Sequence, residues 1–117
     1  TNDDFRRVLY TGKHLQLVLM SLKPGEEIGE EVHETHDQFF RIEKGKGEVL
    51  IDGARTKVKS DDAVIVPAGA RHNVINTGDK PLRLYTLYGP PEHRDGVVHK
   101  TKADAEVEEH FDGKTTE

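Results

Sequence analysis

Residues 29–45 read "GEEVHETHDQFFRIEKG", a run of glutamates, two histidines, an aspartate and a glutamine set directly against Phe39 and Phe40. Chargeable groups at that density are costly to bury without partners. Either the stretch lies in water or something inside the fold compensates it. Side chains at i and i+2 of a strand share a face, so Glu31 and His33 project together. Phe40 and Ile42 share the parity of Gln38, and if they face a core then Gln38 faces it too. Glu31 and His33 are odd-numbered and Gln38 is even, which requires a bend or bulge between them, within "ETHD". Three polar groups then point inward near one end of a β structure. A second polar station is "PAGARHNVIN", residues 67–76, where His72 follows a Pro-Gly turn and begins a strand.

Around these stations the chain is punctuated by turn signals: Thr11-Gly12, Pro24-Gly25, Gly45 and Gly47, Asp52-Gly53, Pro67 to Gly69, Thr77 to Asp79, and Gly89 to Pro91. Between them lie runs rich in Val, Ile, Leu, Phe and Tyr at 5–10, 14–22, 38–43, 48–51, 55–59, 63–66, 72–76 and 82–88. Short strands at such spacing indicate an all-β sandwich or barrel rather than βαβ units. Leu82, Leu84 and Thr86 fall on one face, with Arg83, Tyr85 and Leu87 on the other. "VLIDGARTKVK" reads as a hairpin turning at Asp52-Gly53, where glycine takes positive φ readily. In "KADAEVEEHF" the residues Ala103, Val107 and Phe111 recur every four positions. They predict an apolar stripe on a short helix, begun by Thr101 with Asp104, on the barrel's outside or frayed in solution. The expected organisation is one domain over 1–117, with a barrel core at about 8–90 and a loop and helix at 91–117.

A chain of 117 residues suits a single core. Seventeen Lys and Arg against 22 Asp and Glu give a net charge of −5, and no basic patch with interleaved aromatics marks a nucleic-acid partner. No apolar run approaches the roughly 20 residues that cross a bilayer, so no membrane partner is expected. The absence of cysteine removes disulfides and thiolate metal sites. The expectation is a soluble, cytoplasmic protein. The chain opens on Thr1 rather than Met, which leaves room for a short leader ahead of it.

The two stations together resemble the paired motifs of the cupin superfamily. The first family motif runs Gly, five residues, His-x-His, three or four residues, Glu, six residues, Gly. Gly25 takes the opening position, Glu31 stands where the first His is usual, His33 matches the second, Gln38 replaces Glu, and Gly45 closes the motif in register. The second runs Gly, five residues, Pro-x-Gly, two residues, His, three residues, Asn. Asp61 replaces its glycine, while Pro67, Gly69, His72 and Asn76 match. The resemblance implies a small double-stranded β-helix, or jelly-roll, barrel. It also implies a metal site made by Glu31, His33, Gln38 and His72. Asp37 competes with Gln38 for the fourth position, and the register to Gly45 selects Gln38. Relative to the family's three His and one Glu, the carboxylate has moved rather than vanished, so the ligand charge stays at −1. Two imidazoles and one carboxylate suit Fe(II), Mn²⁺, Ni²⁺ or Zn²⁺. A bound divalent cation would compensate the polar cluster; the competing reading has Glu31 and Gln38 hydrogen-bonding each other on a degraded site.

Fold does not fix function, and three readings stand open. One is a sugar or sugar-phosphate isomerase, for which neither a base nor an Arg/Lys pair for phosphate can be assigned; Arg71 and Arg41 are candidates, Arg41 with outward parity. Another is an Fe(II) dioxygenase on a small enolisable or phenolic compound, lined by Phe40, Ile42, Tyr85 or Tyr88. The last is a non-catalytic module binding a small ligand or metal. His36, in the bend, is the candidate catalytic residue, as a proton carrier at the rim. His14 and His110 read as surface residues, and His93 and His99 as parts of a solvated loop rather than a flap at the mouth. Phe39, opposite in parity to Phe40, would sit exposed on an outer sheet face, so a homodimer is expected.

Overall fold

The computed structural model describes residues 2–106 and 109–117. Its strands are β1 Arg6–Thr11, β2 Gln16–Leu22, β3 Glu31–Val32, β4 Asp37–Lys44, β5 Lys46–Ile51, β6 Ala54–Lys59, β7 Ala63–Val66, β8 Arg71–Ile75, β9 Leu82–Gly89 and β10 Val98–His99. Every expected run forms a strand. The additional β3 and β10, of two residues each, are too short to show a period in the sequence. One sheet has the order β10-β1-β2-β9-β4-β7 and the other β3-β8-β5-β6.

Alternation decides what lies between the sheets. Val18, Met20 and Leu22 of β2, Phe40 and Ile42 of β4, and Leu82 and Leu84 of β9 are buried against Val49, Val58 and Val74 of the smaller sheet. Each such side chain contributes about 1.5–3 kcal/mol on leaving water. The chain crosses from the larger to the smaller sheet at Gly45, whose φ is +98°. A Cβ there would stand 2.7 Å from the Pro81 carbonyl oxygen, so both conformation and space demand glycine. At the hairpin, Asp52 and Gly53 both have positive φ, as a two-residue turn between strands requires. Asp61, standing where the second motif has glycine, keeps a left-handed backbone with φ of 76°. Aspartate is among the few residues that tolerate it.

The opposite parity faces outward. Leu17 of β2 is paired with Leu87 of β9, Leu87 with Phe39 of β4, and Phe39 with Ile65 of β7. They form an apolar row across the larger sheet, and Ile65 is 69% exposed.

The tail departs from expectation. Helix α1 spans only Lys102–Ala105, begun by the expected capping box of Thr101 and Asp104. The four-residue stripe does not form: Ala103 is exposed, Ala105 packs against the core instead, and Phe111 lies beyond the helix. Val107 falls outside the described residues. One helical turn cannot carry a stripe, and the segment beyond it bonds to the barrel. The Phe111 N–H donates to the Glu92 carbonyl at 3.0 Å, and the Thr116 N–H to the Thr11 carbonyl at 2.8 Å. Among the described residues no helix is long and apolar enough to cross a membrane.

Candidate metal centre

Glu31 and His72 are opposite one another in the β3–β8 register, and directly paired residues share a sheet face. His33 follows two positions after Glu31. Gln38 comes from β4 in the other sheet, after a turn at Glu34 and Thr35 that carries the chain across and reverses parity. That turn is the bend the parity demanded. Asp37 is exposed and accepts the Ala68 N–H at 2.9 Å, leaving Gln38, 4% exposed, as the inward residue.

One ligand atom each of Glu31, His33 and His72 lies within 4.8 Å of the other two. His33 Nε2 is 2.9 Å from Glu31 Oε2, yet it is buried without a hydrogen-bond partner. The same spacing suits two ligands of a shared ion, since atoms about 2.1 Å from one ion stand about 3 Å apart. The other ring nitrogens face outer oxygens. His72 Nδ1 is 3.1 Å from the Ala70 carbonyl, and His33 Nδ1 is 3.5 Å from Glu92 Oε2. Such outer contacts fix the tautomer that leaves Nε2 free to coordinate. Gln38 does not bond Glu31: its Nε2 donates to Thr86 Oγ1 at 2.9 Å, and its buried Oε1 has no partner. A carboxylate, two imidazoles and an unpartnered amide oxygen suit a divalent cation of the iron, manganese, nickel or zinc type.

Electrostatics reinforce the cluster. Burial opposes ionisation of Glu31, but adjacent His33 and the positive field of Arg6 outweigh it and hold its pKa below the ordinary value. Burial likewise opposes protonation of His33, but Glu31 and Glu92 together raise its pKa. Burial, and then the charge of Glu31, raise the Tyr88 phenol, which therefore stays a proton donor.

The mouth beside the cluster is roofed by the segment after β9. Gln16 Nε2 donates to the His93 carbonyl at 2.7 Å, and Gln16 Oε1 accepts the His93 N–H at 2.9 Å. This anchors Glu92, whose carboxylate also lies 3.3 Å from His36 Nε2. His36 is thus a half-buried rim residue held by Glu92 and by the Pro91 carbonyl at 3.0 Å. His93 is not in a solvated loop: it is buried, its Nδ1 pairs with Glu109 Oε1, and its ring packs edge-on against Tyr88. The proline-rich stretch suggested exposure, but Gln16 and Glu109 supply the polar partners that permit burial. His99 is half-buried in β10, 3.5 Å from Arg6 Nη1. His14 and His110 are exposed, as expected. Tyr85 does not line the site; it lies on the outer face beside Phe39, and Tyr88 alone of the two turns inward. Arg71 pairs with Glu30 and Arg41 with Asp61 at the surface, so neither reaches the cluster.

Glu92 and Arg6 were absent from the sequence-based site. For Arg6 a signal existed, since it shares the parity of inward Val8 on β1. Glu92 had none, because its placement depends on Gln16, distant in the chain.

Comparison with known proteins agrees with this fold. The family model described as "Cupin domain" matches residues 18–88. The chain is 53% identical over 110 residues to the uncharacterized protein YrkC of Bacillus subtilis, covering 89% of this chain and 59% of that one. It thus spans about three fifths of that relative's length. The crystal structure of BH2720 from Bacillus halodurans is 48% identical, with a TM-score of 0.90 over 92% of this chain and 86% of that one. A protein titled a predicted oxalate decarboxylase, from Thermotoga maritima, is 26% identical, with a TM-score of 0.64 over 67% and 68% of the two chains.

Proposed function

The chain belongs to the cupin family, and on that premise we propose that it holds one divalent cation on Glu31, His33 and His72 and acts as an enzyme on a small polar substrate. The observation that carries this reading is the convergence of Glu31, His33 and His72, one ligand atom of each lying within 4.8 Å of the other two. When bound, the cation supplies Lewis acidity toward a substrate oxygen and, if it is iron, a site for O₂. Gln38 offers a neutral fourth ligand that water or substrate can displace.

The protein groups divide the remaining work. Ala70 and Glu92 orient the two imidazoles. Tyr88, kept protonated, can donate a hydrogen bond inside the barrel, with Phe40 supplying an apolar wall beside His72 at a ring separation of 6.2 Å. His36, paired with Glu92, is placed to carry a proton between the rim and water. The three-protein-ligand face favours an Fe(II) dioxygenase-type reaction. The His36–Glu92 pair favours the second reading, an isomerase that moves a proton between neighbouring carbons. The outer apolar row supports a homodimer, and the cysteine-free composition suits the cytoplasm.

Metal analysis of the purified chain by mass spectrometry, then oxygen-uptake and aldose–ketose screens, tests the proposal. Stoichiometric iron with O₂ consumption supports the oxygenase reading, and sugar interconversion the isomerase. Retained metal without turnover would reduce the protein to a binding module. Failure to retain any divalent ion would refute the metal site itself.

A further inference from the structure

Beside the cluster, sharing Glu31 with it, lies a cavity of about 320 Å³ lined by Arg6, Ile28, Glu31, His93, Lys102 and Glu109 among others. Arg6 is its unexpected member. It points inward from β1 and is 6% exposed, although arginine is rarely buried without a paired charge. Its guanidinium has five N–H donors. Yet Nε has no partner, and the contact to His99 from Nη1 is 3.5 Å long. Among the described residues it makes no ion pair within 4.0 Å. The carboxylates around it are engaged elsewhere: Glu31 with His33, and Glu109 with His93 and the Arg94 N–H.

We infer that Arg6, with Lys102 across the cavity, forms an oxyanion subsite that takes the carboxylate or phosphate of a small substrate whose other oxygens reach the cation. The guanidinium fork matches either anion in two parallel hydrogen bonds. Lys102 adds a mobile point charge from α1. Without the metal, Glu31 faces the same cavity and repels an anion. With it, that charge is neutralised, so metal and anion bind cooperatively. The inference deepens the proposed function by naming a substrate class, and it supplies the basic pair that Arg71 and Arg41 do not.

Calorimetry of the intact chain, metal-free and loaded with Mn²⁺, against pyruvate and against glycerol 2-phosphate tests it. At least one probe should bind saturably, about fivefold or more tightly with Mn²⁺ than without. Arg6→Gln should weaken that binding about tenfold or more while Mn²⁺ content stays unchanged. Preference between the probes tells carboxylate from phosphate. Should Arg6→Gln fail to fold, Lys102→Ala decides instead, and a loss of several-fold is expected from this rim position. No saturable binding of either probe to the loaded protein, or variants that bind as the parent does, overturns the subsite. If no Mn²⁺ is taken up while pyruvate binding still depends on Arg6, the metal reading falls and the subsite stands.

Discussion

Substitution of Glu109 by Gln should release the roof of the barrel mouth in a pH-dependent way. The Glu109 carboxylate pairs with His93 through Oε1 and accepts the Arg94 N–H at 2.8 Å through Oε2. Burial works against its ionisation, but those two partners prevail and bring its pKa from 4.5 to about 2. The difference corresponds to about 3 kcal/mol. The pair lies at the barrel mouth rather than deep in the core, and screening reduces this to about 1–2 kcal/mol. Because the folded pKa is depressed, the contribution is fully present above about pH 4.5 and fades as pH falls toward 2. Urea unfolding of the parent and Glu109→Gln, at steps from about pH 7 to about pH 2.5, isolates the effect as the difference between midpoints. The gap should be widest at neutral pH and close in acid. A gap that is absent, or constant across the range, would refute the pairing as a source of stability.

Chelation should lower the melting temperature of the metal-loaded protein, since a ligand at a thousandfold excess over Kd stabilises by about 4 kcal/mol; an unchanged curve after verified metal removal contradicts the site. Glu31→Gln should collapse divalent-ion affinity, Gln38→Glu should raise it, and the double variant should recover part of it; constant metal content across all three would show that the positions share no cation. Sedimentation should give a dimer mass, shifted toward monomer by Ile65→Lys at the exposed end of the outer apolar row; a parent that is monomeric at micromolar concentration refutes the interface. Phe40→Ala, emptying a site that is 1% exposed, should cost about 3–5 kcal/mol of unfolding free energy by urea titration.

The barrel and the convergence of Glu31, His33 and His72 were legible because both rest on local regularities. Period-two alternation assigns Phe40, Ile42 and Gln38 to one face, and motif spacing brings His72 to Glu31, a pairing the β3–β8 register then realises. What escaped depends on distant partners. Burial of His93 follows from Gln16 and Glu109, and nothing within "PPEHRDG" reveals either. Arg6 sits within an alternating strand, but an arginine in a core-facing position runs against the ordinary rule for charge, so its parity was passed over. The tail was read as a helical stripe because its apolar spacing is regular. The bonds from residues 111 and 116 to the barrel instead continue it as an extended strap.

That strap has a consequence for the order in which the molecule is built. All four proposed ligand positions lie within residues 31–72, whereas the mouth is finished by contacts that join Thr11 to Thr116 and His93 to Glu109. Joining partners 105 positions apart is a late event in folding, because the entropy of closing so long a loop must be met first. A chain still folding therefore presents the Glu31, His33 and His72 cluster while its mouth is still open. A divalent ion bound there would enter from the side that the finished protein roofs over and would leave more slowly once the mouth is closed.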